Sequence, residues 1–347
     1  MRKKFTITWK SPANIALVKY WGKHGNQLPN NPSVSITLSN SCTQTTVTFE
    51  RAIHERYPEI NFQFHGKPNT DFSNRIVQYI YKLKDIMPFL MQYDLHINSS
   101  NNFPHSSGIS SSASFMSSMA LCLCSANQKL GLPMNDNFFE YASDLARLGS
   151  GSAVRSVFGG FVSWGKSTIL PNSSDEHGTE INTKVNDVFK KYNDAILVIN
   201  SAKKKISSSD GHRLMEANPF KTVRYAEAFK NHEMMLQTLE RGEEAKFVEL
   251  VEHEAMTLHA MLQTSNPWQI LMEPVTIAVL RKIREFRNDT KLPVCFTLDA
   301  GPNVHLLYNS EYSGQVKHFI ECNLKEYCEN GLWIDDTIGK GPEMLKR

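Results

Sequence analysis

Four segments of this chain carry residue types whose spacing suits the chemistry of anions. Near the N-terminus, Lys19, Tyr20, Trp21, Gly22 and Lys23 put two cations, a phenol, an indole and a flexible glycine side by side, the makings of a clamp on a charged small molecule. A strand ending in a turn with exposed lysines would use the same residues. Farther along, Gly149-Ser150-Gly151-Ser152-Ala153-Val154-Arg155-Ser156 sets small and hydroxyl residues ahead of an arginine. The arginine's planar fork suits a carboxylate, although a helix–strand turn with a surface salt bridge is the plainer use of such a string. Asp299 opens the turn Asp299-Ala300-Gly301-Pro302-Asn303 behind an apolar run. From there it can project one carboxylate into a cleft, while Asp-Ala-Gly-Pro alone is a common turn signal.

The fourth segment is Asn102-Phe103-Pro104-His105-Ser106-Ser107-Gly108-Ile109-Ser110-Ser111-Ser112-Ala113. A β-like run precedes it, a Pro–Gly turn lies inside it, and helical spacing begins at its serines. That order aims backbone N–H groups and the positive end of a helix at one point, a way of holding phosphate without lysines. The hydroxyls of Ser111 and Ser112 could also ligate Mg²⁺. A serine-rich N-cap before a core helix is the alternative. A second candidate, Gly160-Phe161-Val162-Ser163-Trp164-Gly165-Lys166-Ser167, fits the P-loop pattern letter for letter. Its bulky Phe161, Val162 and Trp164 belong in a strand, and no helical pattern follows, so it is expected not to cradle phosphate.

Elements to position these groups are legible. Short strands are expected at Phe5–Trp9, Val34–Leu38, Thr45–Phe49, Tyr93–Ile97, Gly159–Trp164, Ala195–Ile199, Val294–Leu298 and Val304–Tyr308. Helical spacing covers about 111–126, with Phe115, Met116, Met119, Ala120 and Leu123 on its apolar positions, then 137–148, 219–240, 243–263 and 268–287. The polar stretch 171–187 reads as a surface loop. Strands precede helices with no βαβ rhythm, which favours an α+β fold. We place the domain seam near residues 171–190, giving units 1–188 and 189–347.

At 347 residues the chain can bury a large core, and 41% hydrophobic with 21% charged residues is ordinary for a soluble protein. A formal charge of +3 is too small to imply nucleic-acid binding. No apolar run suits a membrane span or signal peptide. Cys42, Cys122, Cys124, Cys295, Cys322 and Cys328 form no C-x-x-C pair, so buried, reduced thiols and a cytoplasmic location are expected.

The string Ser11-Pro12-Ala13-Asn14-Ile15-Ala16-Leu17-Val18-Lys19-Tyr20-Trp21-Gly22-Lys23 resembles the opening of the diphosphomevalonate decarboxylase family within the GHMP kinase superfamily. The serine-rich segment is similar to that superfamily's phosphate loop. Gly-Ser-Gly-Ser-Ala-x-Arg-Ser and Asp-Ala-Gly-Pro-Asn resemble later family motifs, in family order. The resemblance implies a two-lobed GHMP kinase fold with a deep cleft. Its N-terminal part would be ribosomal protein S5 domain 2-like, its C-terminal part ferredoxin-like. It implies ATP and Mg²⁺, decarboxylation of mevalonate 5-diphosphate to isopentenyl diphosphate, and a homodimer. Carried over residue by residue, Asp299 would be the base, Lys19 would neutralise charge beside it, and Arg155 would hold the carboxylate. Tyr20, Trp21, Lys23, Ser150, Ser152, Ser208 and His212 would line the substrate site. Pro104, His105, Ser106, Ser107, Gly108, Ser110, Ser111 and Ser112 would hold ATP. The chain departs from the family at Pro104–Gly108, at Val154 (usually Cys) and at His212 (usually Met). His105 could donate to phosphate or merely sit in solvent, and Lys203–Lys205 could attract ATP or form a solvated charge run. Three other activities stay open: decarboxylation of the 5-monophosphate, a 3-kinase that does not decarboxylate, and a silent binding protein.

Overall fold

The computed structural model describes residues 4–346 except 54–56, 105–109 and 203–205. Two sheets, each backed by helices, define an α+β architecture. The larger has eight strands. Its centre is a long antiparallel pair, Lys4–Val18 against Ser33–Arg51, where the sequence suggested shorter pieces. The stretch 39–44 between the two expected strands is carried through by pairing, since Cys42, Thr43 and Gln44 lie opposite Pro12, Ser11 and Lys10, and Thr43 and Gln44 also pair with Asn101 and Ser100. The sheet continues through Tyr93–Asn101 to a parallel neighbour, Ile60–Phe64. Glu343–Lys346, near the C-terminus, returns to pair with the first strand.

The helix Ser111–Lys129 packs on this sheet and is buried on nearly every side. Its serines explain how. Ser114, Ser117 and Ser118 bond to Thr43, Ser11 and Thr45 at 2.6–2.7 Å, and Ser125 accepts from the Trp9 indole at 2.8 Å. Small hydroxyl side chains let the helix approach the sheet closely while every buried oxygen keeps a partner. Phe115, Met116, Met119, Ala120 and Leu123 join the core there, and burying each large one is worth about 1.5–3 kcal/mol.

The smaller sheet holds Tyr192–Leu197, Cys295–Thr297, Val304–Asn309 and Trp333–Thr337, all antiparallel. In chain order its strands lie 4-1-3-2, the ferredoxin-like arrangement. Helices Lys221–Arg241, Glu244–Gln263 and Pro274–Thr290 accompany it. The buried Asp336 ties the lobes together by accepting the backbone N–H groups of Ser39, Asn40 and Ser41 at 2.7–2.9 Å.

The P-loop look-alike is a strand: Phe161–Trp164 pairs with Ser33–Ile36, so its backbone is committed to the sheet. Three expectations need correction. The stretch 171–187 contains a short strand, Gly178–Glu180, recruited by pairing with Val162–Trp164 and too short to show alternation. The helix expected from 268 starts at Pro274, where proline takes the first helical position behind a Glu273–Thr276 capping box. Five cysteines are buried and all six are free, but Cys322 is exposed.

Candidate active site

Lys19 follows directly on the long first strand, and its position is set from behind. Its backbone N–H donates to Glu254 at 2.8 Å, and its carbonyl accepts from Asn31 at 3.0 Å and from Arg224 at 3.3 Å. Glu254 is fully buried and takes both arms of Arg224, at 2.6 and 2.7 Å, plus the Asn231 amide at 2.7 Å. Two C-terminal helices thus grip the end of an N-terminal strand. The Lys19 side chain, 2% exposed, points its ammonium at Asp299, with Nζ 3.2 Å from Oδ1. Burial lowers the Lys19 pKa; Asp299 and Glu254 oppose that, and Arg155 adds to it.

Asp299 begins a braced turn. Gly301 N donates to its carbonyl at 2.7 Å, as does His259 Nε2 at 3.2 Å, while Thr276 bonds to Pro302 O and Asn303 to the backbone of Asn200. Its second oxygen accepts from Ser110 Oγ at 3.2 Å. Ser110 immediately precedes the serine helix and adopts φ 46°, ψ 34°. Among the described residues no side chain caps that helix, and Ser110, Ser111 and Ser112 at its start line the same cleft. One carboxylate therefore touches a buried lysine on one side and the helix start on the other.

Arg155 is buried in a short 3₁₀ segment, Gly151–Val157. Its Nε donates to Asn14 at 3.2 Å and one terminal nitrogen to Ser33 at 2.7 Å. Asn14 is itself anchored on Ser156. Burial lowers the guanidinium's pKa to about 10, against the pull of Asp299 and Tyr20, so it remains a full cation near neutrality.

These groups line one cleft of about 640 Å³, whose charged lining residues, among those described, are Lys19, Lys23, Arg75, Arg155 and Asp299. Four cations against one carboxylate make a site for a polyanion. Ser150 and Ser152 share the lining, their hydroxyls 3.4 Å apart. The Tyr20 hydroxyl is buried on this lining and has no hydrogen-bond partner among the described residues, which suits a ligand oxygen. His212 packs between Tyr20 and Trp21, and Lys23 is steadied by Gln27 at 2.7 Å.

Gly22, with φ +100°, makes the tight bend after Trp21, and a Cβ there would fall 2.1 Å from Tyr225 Oη. Gly22→Ala is expected to cost about 1–3 kcal/mol through strain and displacement of Tyr225; a denaturant melt checks it, and an unchanged midpoint would contradict the packing described.

His105, Ser106, Ser107 and Gly108 lie outside the described residues, as does the Ser208 side chain; Ser208 opens the helix Ser208–Leu214 beside the cleft. Pro104 is not among the lining residues. Among the described residues no cluster of His, Cys, Asp and Glu could hold a metal by itself. Mg²⁺ carried by nucleotide phosphates needs few protein ligands, and the hydroxyls of Ser111 and Ser112 on the cleft wall fit that demand. Sequence reasoning missed the residues behind the site: Asn14, Ser33, Arg224, Asn231 and Glu254, together with Arg75 on its wall. One signal was present, since Glu254 falls on the apolar stripe of its helix beside Leu250, Val251, Ala255 and Leu258.

Comparison with known proteins finds similar chains along both sheets. The family model for the diphosphomevalonate decarboxylase-like N-terminal domain matches residues 11–177, and that for the mevalonate 5-diphosphate decarboxylase C-terminal domain matches 195–337. The diphosphomevalonate decarboxylase of Debaryomyces hansenii is 30% identical over 329 residues, covering 90% of this chain and 81% of the relative. Among solved structures, the mevalonate diphosphate decarboxylase from Enterococcus faecalis superposes with a TM-score of 0.84 at 27% identity, covering 99% of this chain and 100% of that one. A structure of MDDEF in complex with MVAPP, AMPPCP and magnesium gives 0.84 at 28%, with the same coverage. With both lobes matched in order and a relative this similar along most of its length, the chain belongs to the diphosphomevalonate decarboxylase family.

Proposed function

We propose that this protein decarboxylates mevalonate 5-diphosphate with ATP, releasing isopentenyl diphosphate, ADP, phosphate and CO₂. The observation that carries this reading is the Lys19–Asp299 pair at 3.2 Å, facing the same cleft as Arg155 and the start of the serine helix. A tertiary hydroxide leaves poorly, so the C3 hydroxyl is first phosphorylated. Asp299 accepts its proton as the oxygen attacks the γ-phosphorus and ADP departs. Lys19, its side chain buried, offsets the charge that develops on the transferring group. The C3–O bond then breaks with loss of phosphate, and the C1–C2 electron pair closes the C2–C3 double bond as CO₂ leaves. Arg155, already positioned by Asn14 and Ser33, holds the carboxylate in line. Tyr20, Lys23, Ser152 and Ser208 hold the diphosphate, with Arg75 a further cation on that wall. Ser110, Ser111 and Ser112 and the helix start receive the ATP phosphates. Mg²⁺ would supply charge neutralisation on those phosphates.

Support for the diphosphate over the monophosphate comes from the excess of cations on the cleft wall. The deciding assay follows ADP and CO₂ together with mevalonate, its 5-phosphate and its 5-diphosphate. Equal yields of both products from the diphosphate are expected. CO₂ from the monophosphate alone would reassign the substrate, ADP without CO₂ would make the protein a kinase, and neither product would end the reading. Arg155→Lys should lower kcat/KM by about 10–100-fold, since a point charge cannot reproduce the fork and hydrogen bonds to charged groups are worth about 1.5–3 kcal/mol. An unchanged kcat/KM would remove Arg155 from the site.

We divide the chain into domains at residue 188, with Glu343–Lys346 crossing back to the first sheet. The six free cysteines favour a cytoplasmic location. Among the described residues no helix is long and apolar enough to cross a membrane. A homodimer is proposed from the family resemblance.

A further inference from the structure

The imidazole of His212 is held in one tautomer. Its Nδ1 lies 2.9 Å from the backbone N–H of Gly22, which can only donate. Nδ1 therefore carries the lone pair, and the proton of the neutral ring sits on Nε2. Ring rotation is opposed by two packed aromatic rings, Tyr20 at 4.3 Å and Trp21 at 4.8 Å between centroids. The preceding Gly211 is packed so tightly that a Cβ there would come within 2.5 Å of the Trp21 indole. Among the described residues, the charges that bear on the ring are Lys23 and Arg155, both cations. Burial first, then those two, push its pKa down to about 3. His212 is only 8% exposed, yet it lines the cleft. With Nδ1 committed to Gly22, the polar group it can offer a ligand is Nε2–H.

We propose that His212 is an uncharged hydrogen-bond donor to an oxygen at the substrate's phosphate end, and that this donor, not a positive charge, helps set how tightly that end is held. The inference rests on the activity proposed above, and it deepens it by assigning one specific contact. Lys23 and Tyr20, the residues assigned to the diphosphate, are the ring's neighbours, which places the donor at that end. A donor fixed in its protonation state over the whole working range gives affinity that does not vary with the titration of an ordinary histidine.

Two variants separate donation from packing. His212→Gln keeps an N–H near the place of Nε2. His212→Met keeps bulk and the aromatic contacts but has no donor. Both remove the ring nitrogen that accepts from Gly22. Because the glutamine amide oxygen can accept in its place, His212→Asn, whose Oδ1 stands near the place of Nδ1 but which puts no donor at that of Nε2, is the control and should bind as weakly as Met. Calorimetric titration of the full chain with mevalonate 5-diphosphate should show the Met variant binding about 10–100-fold more weakly than wild type, with Gln recovering most of the loss. In the wild type, ¹⁵N-histidine NMR should show Nε2 protonated and Nδ1 unprotonated throughout about pH 5–8, with the Nε2 resonance moving when the diphosphate is added. Equal affinities of the Met and Gln variants, or an Nε2 signal indifferent to ligand, would overturn the assignment. A wild-type Kd that weakens as pH rises through about 6.5 would replace the neutral donor by a cation. A wild type that binds the diphosphate through His212 but turns nothing over would refute the proposed activity and leave this contact standing.

Discussion

Asp299→Asn is expected to lower kcat by about 10²–10⁴-fold, the span typical of a lost general base, while ATP still binds. The amide has the carboxylate's shape but cannot take the C3 hydroxyl proton. It also leaves the Lys19 ammonium, 2% exposed, without its anionic partner in a cleft that already holds Arg155. Part of the loss should therefore appear as a Lys19 pKa lowered further, shifting the alkaline limb of the rate profile to lower pH. Rapid-quench measurement of a single turnover separates the phosphoryl-transfer step from product release, and nucleotide titration checks that ATP affinity is kept. Turnover within tenfold of wild type would remove Asp299 from the role of base.

Glu254→Gln should give the largest loss of stability, about 3–5 kcal/mol, because it takes from a buried cation its close, two-pronged partner and leaves it only the more distant carboxylate of Glu227 at 3.8 Å. Arg224 is 2% exposed, and both its terminal nitrogens bond to Glu254. A glutamine offers one acceptor where there were two and turns an NH₂ toward the guanidinium. Burial alone would raise the Glu254 pKa, but Arg224, Asn231 and the Lys19 N–H together hold it below the ordinary carboxylate value. The sign follows. A depressed folded pKa gives stability that is complete above the unfolded value, about 4.3, and is lost as pH falls through the folded one. Denaturant titrations should thus show a wild-type advantage that is constant near neutrality and shrinks below about pH 4.3. A variant as stable as wild type at pH 7 would show that the network does not brace Lys19. An advantage that grew in acid would reverse the pKa argument.

Much of the site could be read in advance because its chemistry is local. The lysine–tyrosine–tryptophan–glycine–lysine string, the serine run before a helix, the glycine–serine cradle and the aspartate turn each place their functional group within a few residues of the element that presents it. The P-loop look-alike could be rejected for the same reason, since Phe161, Val162 and Trp164 declared a strand. The framework was harder. The strand Ser33–Arg51 looked like two because the polar stretch 39–44 carries no apolar alternation; the N–H groups of Ser39, Asn40 and Ser41 are satisfied by Asp336, and the Thr43 hydroxyl by Ser114, from other elements. Gly178–Glu180 exists as a strand only because Phe161–Trp164 is there to pair with it.

The order of residues by itself determined which side chains are equipped for phosphate, carboxylate and proton transfer, since those capacities belong to residue type and short-range geometry. Only the tertiary structure decided that Lys19 and Asp299, 280 positions apart, meet at 3.2 Å, and that Ser110 reaches the same carboxylate. It also placed Glu254, 235 positions from Lys19, behind that lysine. It alone turned His212 so that a backbone amide dictates where its proton lies. Contacts of this kind depend on how two sheets and their helices close on one another, and no window along the chain contains that information.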